Sequence, residues 1–152
     1  MTMTESAVYT PHLAGKKVLL TGGTGFVGRH LLPQLLEAGA QVTCLTRAAS
    51  RTGHLPAGVE TVQADLSTGQ GLAEALHGND VVIHMAALLF GLGWQDYLRA
   101  NALAARSMAS AITSLARAGN LGADFRFVLV SSLAATGPCG TAPGVDDATP
   151  PA

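Results

Sequence analysis

The sequence predicts a doubly wound α/β domain built on a parallel sheet of about five strands. Three observations carry that expectation. Short apolar runs alternate along the chain with stretches of helical periodicity. Those runs lack the polar alternation of a half-exposed strand, which suits a parallel sheet covered on both faces. The first run passes straight into a glycine-rich loop and from there into a helix.

Val18-Leu19-Leu20, led in by Lys16 and Lys17, is the first strand, and Thr21 to Gly28 is the loop. From Phe26 to Ala38 the apolar residues Phe26, Val27, Leu31, Leu32, Leu35 and Leu36 recur at helical spacing. Gly39 supplies the stop, and Pro33 removes one backbone donor from the interior. A second strand is expected over Gln41 to Thr46, a third over Val59 to Ala64, and a helix over Gly71 to His77. Val81 to Met85 is the fourth strand. A long alanine-rich helix, about Trp94 to Ala118, leads to a fifth strand over Phe125 to Ser131. Residues 1–14 read as a flexible polar tail, 15–137 as the folded domain, and 138–152 as an irregular, proline- and glycine-rich segment.

A chain of 152 residues can bury a full core without disulfides or metals. Charged residues make up 12 % and the formal net charge is −1, so no basic face suits nucleic acid. Cys44 and Cys139 stand far apart, and no Cys/His spacing fits zinc, so no metal is expected. No apolar run is long enough to span a bilayer, and the N-terminus lacks the apolar core of a signal peptide. The expected setting is the cytoplasm, with no membrane partner.

The loop satisfies two glycine spacings, Gly22-x-x-Gly25-x-x-Gly28 and Gly23-x-Gly25-x-x-Gly28, between a strand and a helix. Small residues there permit a sharp turn and a close approach of backbone to a pyrophosphate. The free N–H groups and dipole of the following helix favour its negative charge. Gly22, Gly23, Thr24, Gly25, Phe26, Val27 and Gly28 are therefore candidate ligands of a dinucleotide in a Rossmann-type fold. Past the second strand, an Asp or Glu would bond the ribose 2′-hydroxyl of NAD. Thr46-Arg47 stands there instead, and no carboxylate occurs from Val42 to Ala57. Arg47, with Arg51 nearby, would meet a 2′-phosphate with positive charge, which favours NADP over NAD.

These motifs resemble the extended short-chain dehydrogenase/reductases, also called NAD-dependent epimerase/dehydratases. Thr21 to Gly28 resembles their T-G-x-x-G-x-x-G loop, and Asp65-Leu66 their adenine-contacting pair after the third strand. Asp80 to Ala87 is similar to their D-x-V-I-H-x-A-A fourth strand, which puts Met85, Ala86 and Ala87 beside the cofactor. Asn101 occupies the helix position where the family carries an Asn. Val130-Ser131-Ser132, with Gly137 beyond, is similar to the catalytic-serine strand, so the resemblance implies a cofactor contact for Ser131 and a catalytic hydroxyl for Ser132. Read from their setting alone, His84 is a satisfied core histidine, and Trp94 and Tyr97 are packing residues.

The family moves a proton with a Tyr-x-x-x-Lys pair, the cation supplying about 4 kcal/mol to bring a tyrosine toward neutrality. That pair is absent: the tyrosines are Tyr9 and Tyr97, and the lysines are Lys16 and Lys17. The expected function is the NAD(P)-binding part of an oxidoreductase, epimerase or dehydratase, truncated before its catalytic helix and inactive by itself. The complete enzyme would act on a small-molecule substrate. A non-catalytic NADP(H)-binding sensor or interaction module is the competing expectation. Helix 94–118 is expected to mediate self-association, with Leu103, Met108, Ile112 and Leu115 short of cover.

Overall fold

A computed structural model describes residues 13–91, 93–132 and 135. The strands are β1 (Lys17–Thr21), β2 (Gln41–Thr46), β3 (Glu60–Gln63), β4 (Val81–His84) and β5 (Arg126–Leu129). All pair in parallel, in the order β3-β2-β1-β4-β5. This is the doubly wound Rossmann arrangement, in which the strand order reverses beside β1. The segments expected to be irregular or flexible, 138–152 and most of 1–14, lie outside the described residues.

Side-chain alternation divides the core between the two faces of the sheet. Val18 and Leu20 of β1, Val42 and Cys44 of β2, and Ile83 of β4 face helix α1 (Phe26–Glu37), which contributes Leu32 and Leu35. Leu19, Leu45 and Val82 face the other way, against Leu72 and Leu76 of α2 (Leu72–Leu76) and Met108 of α4 (Ala104–Arg117). Leu19, Leu20, Leu32 and Leu76 are fully buried, each worth about 1.5–3 kcal/mol relative to exposure. Helix α1 ends where expected, as the N–H groups of Gly39 and Ala40 bond back to the carbonyls of Leu36 and Leu35. Pro33 lies inside it on the exposed side.

Two expectations change. The helix over 94–118 comes in three pieces: α3 (Trp94–Tyr97), a π-helical stretch Leu98–Leu103, and α4. A wider turn in mid-helix redirects the side chains that follow, and such turns concentrate at functional sites. Met108 is fully buried, and Ile112 and Leu115 pack partly against the core. Of the four residues expected to lack cover, Leu103 alone is exposed, at 40 %, and further exposed apolar residues lie on β5 and just past it, where Val128, Leu129 and Val130 are 46–51 % accessible.

Candidate cofactor-binding site

Because every strand runs the same way, all five C-terminal ends meet at one edge of the sheet. That edge gathers the glycine loop after β1, Arg47 after β2, Asp65 after β3, Met85 to Ala87 after β4, and Ser131 and Ser132 after β5. The loop is as tight as its spacing implies. Gly22 adopts φ +78°, and a Cβ there would lie 2.9 Å from the Ala86 nitrogen. A Cβ on Gly28 would lie 2.5 Å from the Gly22 oxygen and from two Gly23 backbone atoms. The start of α1 thus presses against the loop with nothing between. Gly25, Phe26 and Val27 are exposed, and no side chain caps the helix. Its first-turn N–H groups are open to an anion. This cradle fits a dinucleotide's pyrophosphate, the close approach and the uncapped helix being what that group requires.

Beneath the loop lies Cys44, whose sulfur a side chain on Gly23 would strike. Burial pushes its thiol up to about 11, which keeps it a neutral packing group.

One side chain joins the loop to β4. Thr21 Oγ1 lies 2.6 Å from His84 Nδ1, and both residues are buried. The same oxygen accepts hydrogen bonds from the N–H groups of Met85 (3.2 Å) and Ala86 (3.1 Å). With both lone pairs used, the hydroxyl proton points at His84 Nδ1, which must be the bare acceptor of a neutral imidazole. Burial pushes the His84 pKa below its ordinary value, in the same direction. His84 is the satisfied core histidine its setting suggested, and Thr21 holds the backbone just past β4 beside the glycine loop.

Asp65 closes an Asx turn. Its Oδ1 accepts from the Ser67 hydroxyl (2.6 Å) and the Ser67 N–H (2.7 Å), and these bonds hold its exposed carboxyl below the usual range. Leu66 packs partly against the core next to it. Arg47 is exposed, its backbone N–H donating to Ser50 Oγ at 3.1 Å.

Asn101 sits in the π-helical stretch and spends both ends of its amide on one residue. Oδ1 accepts from Leu88 N–H at 2.7 Å, and Nδ2 donates to Leu88 O at 3.1 Å. Tyr97, four residues earlier, accepts from Gly91 N–H at 3.0 Å and donates to Leu89 O at 3.3 Å. Together they clamp the loop after β4, where both ends of the Asn101 amide are spent on the backbone of Leu88. Tyr97 does more than pack. Ser131 and Ser132 are exposed just past β5, whose register is carried on by Val130 N–H bonding His84 O. Among the described residues no cluster of His, Cys, Asp and Glu could hold a metal ion.

The sequence pattern of the NAD-dependent epimerase/dehydratase family matches residues 18–152. The chain belongs to that family. It is 38 % identical over 122 residues to a ceramide reductase of Caulobacter vibrioides, covering 80 % of this chain and 36 % of that protein. It is 41 % identical over 75 residues to a decarboxylating sterol-4-alpha-carboxylate 3-dehydrogenase of Dictyostelium discoideum, 49 % of this chain and 23 % of that one. Among solved structures it is similar to the Bordetella bronchiseptica enzyme WbmH in complex with NAD+, with TM-score 0.70 and 25 % identity. That match covers 91 % of this chain and 46 % of WbmH. The chain thus spans less than half the length of each of these relatives.

In this epimerase/dehydratase family member the parallel sheet brings the glycine loop and the ends of β2 to β5 to one edge. Two features of that edge escape sequence reading. The Thr21–His84 pair is 63 residues apart. His54, a loop residue with no motif around it, reaches Thr24 of the glycine loop.

Proposed function

We propose that these 152 residues form the NADP-preferring cofactor-binding part of an oxidoreductase, epimerase or dehydratase. On this reading the segment binds its cofactor without turning it over. The carrying observation is the tight, uncapped junction of the glycine loop with α1, flanked by Arg47 in place of a carboxylate. The bound nicotinamide would supply or accept a hydride. The chain's own share is to hold the pyrophosphate at residues 22–28, the 2′-phosphate at Arg47 and the adenine at Asp65 and Leu66. Met85 to Ala87 and Ser131 would line the rest of the cofactor, and Ser132 would face the substrate carbonyl or hydroxyl. No Tyr-x-x-x-Lys pair is present to move the accompanying proton. Titration followed by nicotinamide fluorescence should give saturable binding with a lower Kd for NADPH than for NADH. No binding of either at millimolar concentration would refute the reading.

Leu89, Phe90 and Trp94 are 72–89 % accessible beyond β4, and two relatives carry names of lipid-converting enzymes. These observations support a substrate with an apolar body. Trp94 is the only tryptophan and reports on that surface. A solubilised sterol should shift its emission saturably while UDP-glucuronic acid leaves it unchanged; the opposite result would reverse the assignment.

Self-association is part of the same reading, carried by the exposed β5 residues and Leu103 rather than by the buried face of α4. Light scattering that returns a monomer across a concentration series would remove it.

A further inference from the structure

Three tight turns shape the loop between β2 and β3, the last closed by Val59 N–H donating to Pro56 O at 3.2 Å. Ser50 N–H donates to Arg47 O at 2.9 Å, and Leu55 N–H donates to Thr52 O at 3.0 Å. Leu55 packs partly against the α1-side core, which ties down the far end of the loop. His54, beside that anchor, meets the carbonyl oxygen of Thr24 through Nε2 at 3.3 Å. A carbonyl only accepts, so the imidazole proton on Nε2 makes this bond. Among the described residues it is the one side-chain hydrogen bond between the β2–β3 loop and the glycine loop. Arg47 and Arg51 ride on the loop so held, both exposed and without an ion-pair partner among the described residues. No acidic residue lies between positions 42 and 57 to neutralise them.

We infer that His54 is a positioning residue for cofactor choice, latching the β2–β3 loop onto the glycine loop so that Arg47 and Arg51 face the 2′-phosphate of NADP. The inference rests on the NADP reading above and adds to it the device that orders the cations. Two arginines on an unlatched loop would have to be ordered at the moment of binding, and that cost would fall on NADP alone. NAD offers them no phosphate there. The latch orders the loop before the ligand arrives. Nothing in the local sequence singles out His54; only the fold brings it back to Thr24.

Hydrogen exchange and cofactor titration on the full chain test this, using His54→Leu, which removes the donor, and His54→Gln, which keeps one. With His54→Leu, amides over residues 47–58 should exchange faster, and Kd for NADPH should rise about fivefold while that for NADH moves less than about twofold. The Gln variant should stay near the unsubstituted chain in both measurements. Equal weakening of both cofactors would place His54 in the shared pyrophosphate grip and overturn the inference. So would unchanged exchange over 47–58. Tighter binding of NADH than NADPH by the unsubstituted chain would sink the NADP reading itself, while the exchange comparison would still decide whether the latch exists.

Discussion

Gly28→Ala should abolish useful cofactor affinity and destabilise the fold at once. The added methyl would sit 2.5 Å from three backbone atoms of Gly22 and Gly23, where ordinary contact begins near 3.4 Å. No rotamer change relieves a clash with backbone, so α1 has to withdraw from the loop. Overpacking of this kind costs about 1–3 kcal/mol, occasionally more. Withdrawal also carries the open N–H groups of the first turn away from the pyrophosphate. We expect Kd for NADPH to rise by more than about tenfold, and denaturant unfolding to show a loss near the upper end of that range. Gly122→Ala is the control, since a Cβ there meets nothing within 4 Å. A Gly28→Ala chain that bound NADPH as tightly as the Gly122→Ala chain would remove the close helix–loop approach from the account of binding.

The glycine loop was legible because its requirements are local: a turn, a close approach and a helix start, all within eight neighbouring positions of the sequence. The inner strands were legible for a related reason. Strand β2 runs over Gln41–Thr46 as its apolar pattern suggests, since a central parallel strand is apolar on both faces. Strand β5 shows the limit of that argument. Its apolar run announces a strand, but a run of apolar residues cannot say what covers it, and Val128 to Val130 are half exposed. The π-helical stretch was out of reach because nothing in the spacing of Leu98 to Leu103 departs visibly from a helix. What accompanies the wider turn is a tertiary contact, the Asn101 amide on the backbone of Leu88. The motif residues at the ends of β1 to β5 fall on one edge because the strands all run the same way. Thr21 and Asn101 were legible as motif positions, but the partners their side chains hold in position, and the roles of His54 and Tyr97, became visible only once distant segments were brought together.

Thr21→Val is the second substitution with a large expected effect, and it separates that positioning role from simple packing. Valine matches threonine in shape, so the core around β1 and β4 stays filled. What disappears is one oxygen serving three partners: His84 Nδ1 and the N–H groups of Met85 and Ala86. Leaving a buried polar group unsatisfied costs about 1–3 kcal/mol, so a loss of about 3 kcal/mol in unfolding free energy is expected. Weaker binding of NADPH and NADH alike should accompany it, because on the proposed reading Met85 and Ala86 line the part of the site that both cofactors share. The pH profile carries the more specific signature. Burial lowers the pKa of His84 in the folded state, so the native protein binds fewer protons than the unfolded chain on the acid side of 6.5. Its contribution is fully present above 6.5 and is lost as pH falls from there toward the depressed native value. In the unsubstituted chain the acid proton on Nδ1 would also meet the Thr21 hydroxyl proton head-on. With valine at position 21 that opposition is gone, so the His84 part of the acid-side decline should become shallower even though the protein is less stable overall. A Thr21→Val chain with unchanged stability, or with the same acid-side slope as the unsubstituted chain, would show that the hydroxyl does not fix the protonation state of His84.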